Sequence, residues 1–468
     1  MTQTEQAVLT TPRIARRNRW IEEWHPEDAV FWDRAGVRTA RRNLVFSILT
    51  EHVGFSVWSL WSVFVLFLTP AYGISDDPKA AAAEKFLLTA LPAAVGALVR
   101  FPYTLAVARF GGRNWTVISA GLLLVPTGAA AIVLRPGVSY GTLLVVAALA
   151  GAGGGNFASS MANINSFYPQ RLKGRALGLN AGGGNIGVAV VQLVGLAVLA
   201  TAGRAHPRVM LGIYIPLVVI AAACAALFMD NLAHVRNEKR GMRSACRDPH
   251  TWVISLLYVG TFGSFIGFSF AFGQVLSDQF ASHFGSNGTV DPVKVASVTF
   301  LGPLIGSLIR PAGGWLADRL GGAVVTMWNF LTMATAAAIV LVASAQNSLP
   351  LFYVGFIALF AFSGIGNGSV YKMIPAIFRA KAARAVAAGE DNNAADRDAC
   401  RLTSAVIGVA AAVGALGGVL VNIAFRQSFL AAGTGNGAYI AFTAFYLVAM
   451  ALTWLVYLRP SPGRLTGV

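Results

Sequence analysis

Long runs of apolar residues recur through this chain, and they limit its possible folds more than any other feature. Examples are the runs from Leu351 to Phe362 and from Ala438 to Leu458. A helix of about 20 apolar residues spans the ~30 Å hydrocarbon core of a bilayer. Charged residues make up only 12% of the sequence, whereas they make up about 25% of an average soluble domain. The sequence therefore predicts an all-α protein that crosses a membrane many times.

Twelve segments have the length and composition of a membrane-spanning helix. They are predicted at 44–70, 84–108, 114–133, 139–167, 175–203, 208–229, 251–277, 295–317, 322–345, 349–378, 402–425 and 437–458. The spans form two sets of six, at 44–229 and 251–458. Residues 1–43, 230–250 and 459–468 are predicted as an N-terminal cytoplasmic segment, a cytoplasmic linker and a cytoplasmic tail.

Lysine and arginine are concentrated in the two terminal segments and in the even-numbered loops, which twelve spans place on one side of the membrane. Because these residues are enriched in short cytoplasmic loops, we expect both termini in the cytoplasm. The same distribution accounts for most of the net charge of +16. The basic residues are dispersed and form no recognition module, so we expect no nucleic-acid partner.

Cysteine and histidine form no pattern that would bind a metal. The three cysteines are Cys224, Cys246 and Cys400, and none of the six histidines lies at ligand spacing from a cysteine or another histidine. The sequence also shows no nucleophile with an adjacent base and no pair of carboxylates. We therefore expect no disulfide framework, no metal, no cofactor and no enzymatic activity.

A repeated motif relates the two sets of spans. The segment Gly96-Ala-Leu-Val-Arg100 recurs 210 residues later as Gly306-Ser-Leu-Ile-Arg310, and each copy is followed at the same spacing by an arginine and two glycines. Such internal duplication is typical of transporters whose binding site lies between two halves near the bilayer midplane. The sequence therefore predicts two pseudo-symmetric six-helix halves.

Arg100 and Arg310 lie in the middle of their predicted spans. A charged side chain at the bilayer centre costs at least about 2.5–3.5 kcal/mol, and such residues usually serve a function. Glycines one turn away, at Gly96, Gly306 and Gly314, are predicted to leave space for a guanidinium and a ligand. The alternative is a structural ion pair with a buried carboxylate, but the predicted spans contain very few carboxylates. A ligand role for the pair is therefore favoured.

Two facing cations without a fixed counter-charge call for an anion. A guanidinium presents a rigid fork of donors that suits a planar oxyanion, and nitrate is planar, trigonal and monovalent. Neutral side chains could bind the remaining oxygens, and the candidates are Asn156, Ser159, Asn163 and Asn185. Asn156, Ser159, Ser160 and Asn163 share one helical face, and their alternative role is interhelical hydrogen bonding.

Two motifs rich in glycine and asparagine extend this picture. The first runs from Gly151 to Asn163 (GAGGGNFASSMAN) and continues to Asn185, and the second is Gly364-Ile-Gly-Asn-Gly-Ser369. They resemble the two nitrate signatures of the nitrate/nitrite porter family, the NarK-type branch of the major facilitator superfamily. The similarity extends over nearly the whole chain.

The resemblance implies a major facilitator fold and the transport of nitrate and nitrite. It also implies that Arg100 and Arg310 clamp the anion. The other substrate-binding residues that it implies are Asn185 and Tyr258 as hydrogen-bonding groups, Phe55, Phe157 and Phe262 as walls of the pocket, and Gly154. We expect a monomer in the lipid bilayer.

Charge favours obligate exchange of nitrate for nitrite. Two arginines without a partner are costly to carry through an occluded state, so the empty carrier would stall. The rival mechanism is proton-coupled nitrate symport, for which Glu51 is the best candidate because it lies one turn before Phe55. The favoured interpretation of Glu51 is nevertheless an interfacial carboxylate paired with Arg41 or Arg42. Exchange of a small organic anion, such as formate or oxalate, is a further alternative, and the net direction of flux stays open.

Overall fold

The computed structural model describes residues 16–17, 19–233, 239–286, 289–460, 465 and 468. Twelve helices within these residues are long and apolar enough to cross a membrane. They are α1 (Ala29–Phe67), α2 (Pro78–Phe110), α3 (Gly112–Val133), α4 (Tyr140–Phe167), α5 (Gln170–Thr201), α6 (Val209–Phe228), α7 (Pro249–Gln279), α8 (Pro292–Leu320), α9 (Gly322–Ala345), α10 (Leu349–Ala387), α11 (Asn392–Ala432) and α12 (Asn436–Leu458). The predicted all-α fold with twelve membrane-spanning helices is confirmed.

Two helices begin well before their predicted spans. α1 begins at Ala29, where the side chain of Asp28 accepts hydrogen bonds from the main-chain N–H groups of the first turn. α11 begins at Asn392, where Asp391 caps the main-chain N–H of Ala394 in the same way. An aspartate at this position satisfies N–H groups that have no partner within the helix. Hydropathy marks only the part of a helix that lies in hydrocarbon, so it misses these polar turns.

Several spans contain local irregularities. α7 is α-helical over Pro249–Tyr258, π-helical over Val259–Gly263 and α-helical again over Ser264–Gln279. The backbone of Gly263 lies so close to that of Gly417 in α11 that a side chain at Gly263 would collide with it. Single π-helical turns are frequent at functional sites. The other π-helical turns are Trp32–Gly36 and Trp454–Leu458. The helices α3, α4 and α8 are interrupted at Leu123, Gly151 and Phe300, respectively. The short helices outside the spans are Pro70–Tyr72, Lys239–Arg247 and Ala281–Phe284.

A small sheet joins the segment before α1 to the segment after α6. β1 (Arg16–Arg17) pairs antiparallel with β2 (Trp20–Ile21), and β2 pairs parallel with β3 (Asn231–Leu232). A separate hairpin, β4 (Gly285–Ser286) and β5 (Thr289–Val290), lies between α7 and α8. The sequence pattern predicts none of these strands, because each is only two residues long.

Aromatic side chains hold the start of α1 against the end of α4. The indole N–H of Trp24 donates to the main-chain oxygen of Phe167 at 3.2 Å. The ring of Trp24 also packs edge-on against Phe31, with 5.2 Å between the ring centroids. In addition, Arg42 of α1 forms an ion pair with the buried carboxylate of Asp230, which follows α6. Part of the predicted segment 1–43 is therefore packed onto the first six helices.

α2 and α11 pack against each other and join the first six helices to the last six. The contacts that define this α2–α11 seam are Phe86 with Phe425, Thr89 with Asn422, and Arg100 with Ala411. The spacing between successive contacts is the same on both helices, so the helices run antiparallel in a constant register. One of the two intramembrane arginines therefore lies within a contact between the halves.

Candidate anion-binding site

Arg100 of α2 is completely buried, with 0% of its surface exposed. Its Nε donates to the main-chain oxygen of Gly154 at 3.0 Å, and its Nη1 donates to the main-chain oxygen of Ala411 at 2.5 Å. Its Nη2 has no hydrogen-bond partner among the described residues. Because a guanidinium has five N–H donors and no acceptor, this side chain still has donors to offer to a ligand.

Three aromatic rings surround the guanidinium of Arg100. Its central carbon lies 5.4 Å from the ring centroid of Trp58, 4.9 Å from that of Phe157 and 5.0 Å from that of Phe262. Cation–π contacts at such distances are worth about 2 kcal/mol or more when the cation is desolvated. The rings therefore offset part of the cost of burying this charge.

The glycines near Arg100 have a different role from the predicted one. Gly96 of α2 and Gly154 of α4 pack against each other and against the ring of Trp58, and a side chain at either position would collide with that ring. The prediction that Gly96 leaves space for a ligand is wrong, because Trp58 fills that space. The close approach of α2 and α4 instead brings the carbonyl of Gly154 to Arg100.

Arg310 of α8 is less constrained, and 7% of its surface is exposed. Its Nη2 donates to the hydroxyl of Tyr258 at 3.3 Å, and its Nη1 has no hydrogen-bond partner in the described ranges of the chain. The ring of Tyr371 lies 5.2 Å from the guanidinium carbon. Gly306 does not open a cavity beside Arg310 as predicted, because it packs against Phe265 and α10.

Neither arginine lies within ion-pair distance of a carboxylate in the part of the chain that the structure describes. The alternative of a structural ion pair is therefore wrong for Arg100 and Arg310 within that part. Among the described residues, these two buried cations therefore have no carboxylate in direct contact to balance their charge. Such an arrangement is costly unless a ligand completes it.

A row of stacked rings connects the two arginines. Tyr258 and Phe262 stack with 5.1 Å between centroids and an interplanar angle of 5°, and Phe262 stacks on Phe157 at 5.9 Å. Phe157 belongs to the first half. Tyr258 and Phe262 belong to α7 in the second half, where Tyr258 ends the first α-helical part and Phe262 lies in the π-helical turn. Phe55 lies behind this row, in contact with Phe157 at 6.0 Å and with Trp58 at 5.3 Å.

Three buried asparagines near the glycine-rich motifs have unsatisfied amides. Among the described residues, both amide atoms of Asn156, Asn185 and Asn367 lack a hydrogen-bond partner, although each side chain is at most 4% exposed. The alternative that Asn156 forms interhelical hydrogen bonds is therefore wrong within that part of the chain. Asn163 packs against Gly112, and its side-chain Nδ2 is also unpaired. Buried amides normally have partners, so these groups are free for a small polar ligand or water.

Glu51 of α1 is completely buried and not exposed at an interface as predicted. Its carboxylate accepts hydrogen bonds from Ser160 of α4 and from Nδ2 of Asn180 in α5, the latter at 2.6 Å. The interpretation of Glu51 as an interfacial carboxylate paired with Arg41 or Arg42 is wrong, because Arg42 pairs with Asp230 instead. The positive charges of Arg100 and Arg310 interact electrostatically with the Glu51 carboxylate without contacting it.

The structure adds four groups that the sequence analysis did not assign to the site. Trp58 could have been found from the sequence, since it lies one helical turn after the predicted site residue Phe55. Tyr371 and Asn180 have weaker signals, as polar residues within or next to the glycine-rich motifs. The carbonyl of Ala411 has none, because a main-chain group carries no sequence signature and lies 311 residues from Arg100.

The described residues contain no group of three or more His, Cys, Asp or Glu side chains that could hold a metal ion. What the site offers is a set of buried N–H and O–H donors, two positive charges and flat aromatic walls. These features suit a small anion that is held by hydrogen bonds and not by covalent chemistry.

Comparison with known proteins agrees with this architecture. The model of the Major Facilitator Superfamily matches residues 47–389. The fold resembles that of the xylose transporter XylE from Escherichia coli in a partially occluded inward open conformation, with a TM-score of 0.66, 13% identity and coverage of 90% of this chain and 98% of that chain. A bacterial homologue of the human lysosomal transporter Spinster gives a TM-score of 0.62 at 14% identity, covering 89% of this chain and 96% of that chain. The predicted major facilitator fold is confirmed.

Proteins with similar sequences identify a narrower family than the fold does. "Nitrate/nitrite transporter NarU" of Salmonella typhimurium is 37% identical over 469 residues, which cover 96% of this chain and 98% of that protein. NarU of Escherichia coli K12 is 37% identical over 94% of this chain and 96% of its own length. The "Probable nitrate/nitrite antiporter NarK2" of Thermus thermophilus is 32% identical over 95% of this chain and 97% of its own length. This chain therefore belongs to the major facilitator superfamily and, within it, to the nitrate/nitrite porter family of NarK-type transporters.

Proposed function

We propose that this protein transports nitrate and nitrite across a bacterial inner membrane by alternating access, with one anion held between Arg100 and Arg310. One observation carries the proposal. Two guanidinium groups at equivalent positions of the two halves are buried, each retains a nitrogen without a partner, and neither contacts a carboxylate among the described residues. The names of the relatives supply the identity of the anion.

The geometry suits a flat oxyanion. The ring stack formed by Phe157, Phe262 and Tyr258 gives planar walls, and the unpaired Nη atoms of the two arginines supply charged donors. In this scheme the Asn185 amide donates to an oxygen of the anion. Tyr258 holds Arg310 in the empty carrier and turns its hydroxyl to the anion on binding. Gly154 acts through its carbonyl, which fixes the orientation of the Arg100 guanidinium.

Obligate exchange of nitrate for nitrite follows from the charge of this site. Without an anion, the buried donors of Arg100 and Arg310 stay unsatisfied, and burial of an uncompensated charge costs several kcal/mol. A bound monovalent anion satisfies these donors and lowers the net charge, which permits the halves to reorient. The carrier works as a monomer with both termini in the cytoplasm in this proposal.

Counterflow in proteoliposomes tests the exchange. We expect rapid uptake of labelled nitrate into vesicles loaded with unlabelled nitrate or nitrite, and little uptake into vesicles that contain gluconate as the only internal anion. Equally rapid uptake into the gluconate vesicles would exclude obligate exchange. Competition by formate and oxalate in the same assay tests the organic-anion alternative, and we expect weak competition because aromatic rings and glycines leave little volume at the site.

Proton-coupled nitrate symport is a second candidate mechanism, and the position of Glu51 favours it. This carboxylate is buried, and its Oε1 has no hydrogen-bond partner among the described residues. Arg100 and Arg310 both interact with it electrostatically. A proton on Glu51 would add one positive charge to the site and favour anion binding, and by linkage the anion would favour the proton.

Replacement of Glu51 by Gln separates the two mechanisms. Under symport, an imposed proton gradient drives nitrate uptake by the wild type, and E51Q loses this response. Under obligate exchange, neither protein responds to the gradient. Glu84 provides a matched control, because its carboxylate accepts from the main-chain N–H of Ser75 near the start of α2, and E84Q should behave like the wild type.

A further inference from the structure

Tyr371 of α10 has a buried hydroxyl that no contact in the structure explains. The hydroxyl oxygen is inaccessible to solvent and has no hydrogen-bond partner within the part of the chain that the structure describes. Burial of an unpaired hydroxyl is unfavourable, and such groups in native proteins call for an explanation. A phenylalanine would make the same ring contacts without this cost, so the reason for a tyrosine lies in its hydroxyl.

The surroundings of Tyr371 place the hydroxyl at the candidate anion-binding site. Its ring lies 5.2 Å from the guanidinium carbon of Arg310, and its centroid is 5.0 Å from that of Tyr258. The Tyr258 hydroxyl accepts a hydrogen bond from Arg310 Nη2. It also lies close enough to the Tyr371 hydroxyl to interact with it, but among the described residues the distance and angle of a hydrogen bond to the Tyr371 hydroxyl are not met. The Nη1 of Arg310 and the hydroxyl of Tyr371 are thus two unpaired donors in one neighbourhood.

A second polar group on α10 points to the same conclusion. Asn367 precedes Tyr371 by one helical turn, is 1% exposed, and has no partner for either amide atom. Side chains four residues apart lie on the same side of a helix. α10 therefore presents two buried and unsatisfied polar side chains on one face, and one of them is next to Arg310.

We propose that the Tyr371 hydroxyl donates a hydrogen bond to an oxygen of the anion bound by Arg310, and that this bond favours nitrate over nitrite. This inference rests on the proposed function. A guanidinium fork engages two oxygens of a planar oxyanion. Nitrate has a third oxygen that can accept from a neutral donor, whereas nitrite has only two. The hydroxyl adds no charge, so it selects by geometry and leaves the electrostatics of the two arginines unchanged.

Substitution of Tyr371 by Phe tests the assignment, because it removes the hydroxyl and keeps the ring beside Arg310. We expect the KM for nitrate in counterflow to rise about 10-fold or more, as for the loss of a hydrogen bond to a charged group. The KM for nitrite should change less than about threefold, and Vmax should be retained for both anions.

Tyr446 of α12 supplies a matched control. Its hydroxyl is also buried, but it forms a hydrogen bond with Ser264 at 2.7 Å. We expect Y446F to keep the wild-type KM and to melt at a lower temperature in detergent. Y371F should show the opposite pattern, with weaker nitrate binding and, without anion, a melting temperature no lower than that of the wild type.

The outcomes distinguish this inference from the proposed function. Absence of nitrate and nitrite counterflow in the wild type would overturn the proposed function itself. An active wild type combined with an unchanged nitrate KM in Y371F would overturn only the role of Tyr371. Equal loss of affinity for nitrate and nitrite would overturn the selectivity, and a lower melting temperature of empty Y371F would show that its hydroxyl has a structural partner.

Discussion

The two intramembrane arginines occupy equivalent positions in the repeat, but their surroundings differ. Arg100 is wholly buried, is surrounded by three rings, and is tied to main-chain oxygens of Gly154 and Ala411, the second of which belongs to the other half. Arg310 is slightly exposed, and its described partner is Tyr258 of its own half. Sequence symmetry has thus produced one arginine that joins the halves and one that does not.

This difference assigns the two residues separate tasks within the proposed mechanism. Alternating access requires the contact between halves to change. The Arg100–Ala411 bond lies in the α2–α11 seam, so it must break or shift when α2 moves relative to α11. Arg310 can bind an anion without disturbing a contact between the halves. Arg100 therefore couples anion binding to the arrangement of the halves, and Arg310 mainly supplies affinity.

The largest effect is expected when either Arg100 or Arg310 is replaced by Lys. A single ammonium cannot reproduce the planar fork of a guanidinium, and loss of two charge-assisted hydrogen bonds should lower kcat/KM for nitrate counterflow by roughly 100-fold or more. Transport assays with purified protein in vesicles would measure the loss.

Arg113 offers a control for these two variants. Its Nε and Nη2 also donate to a main-chain oxygen, that of Ala226, but it lies at the start of α3. R113K should retain nearly normal kcat/KM. Retention of wild-type affinity in both R100K and R310K would refute the arginine clamp.

An intermediate effect is expected on stability, and it should separate the two arginines. R100K leaves the carbonyls of Gly154 and Ala411 without their present partner, so the empty carrier should lose about 1–3 kcal/mol more than R310K does. Thermal unfolding of both variants in detergent without nitrate would measure the difference. Equal melting temperatures would mean that the contacts of Arg100 contribute nothing beyond those of Arg310.

The smallest effect is expected for Thr89→Val in the same seam. This change removes the 2.8 Å hydrogen bond to Asn422, which is worth about 0.5–1.5 kcal/mol. Because the bond exists only while α2 and α11 keep this register, its loss should change Vmax by a fewfold and leave the KM for nitrate nearly unchanged.

Thr335→Val is the control for this variant. The hydroxyl of Thr335 bonds to the main-chain oxygen of Leu331 within α9, and its side chain is exposed. Its loss should affect neither parameter. A change in KM without a change in Vmax for T89V would indicate that Thr89 acts on the site and not on the seam.

Hydropathy was sufficient to predict the twelve membrane-spanning helices, because burial in hydrocarbon leaves a strong compositional signal, whereas the major facilitator fold was predicted from the family resemblance. It failed at Ala29 and Asn392, where helices continue into polar sequence, and at the two-residue strands, which form by main-chain pairing. The position of Arg100 and Arg310 was also predictable, since a charge in the middle of an apolar run is costly and therefore informative.

The surroundings of the arginines were not predictable in the same way. Gly96 suggested an open space, but a glycine in the sequence shows only that a side chain is absent. It does not show which neighbouring group occupies the space, and here that group is Trp58. Glu51 suggested an interface because arginines precede it in sequence. Its actual contacts, Ser160 and Asn180, come from α4 and α5, and that packing cannot be inferred from spacing within α1.

The pairing of β2 with β3 has a mechanical consequence. It fixes the segment that precedes α1 to the segment that follows α6. When these six helices rotate as a rigid body, both segments move with them, so the distance between the two segments does not change. Reorientation is then confined to the surfaces where the six-helix units meet, and each unit can remain internally stiff throughout the cycle.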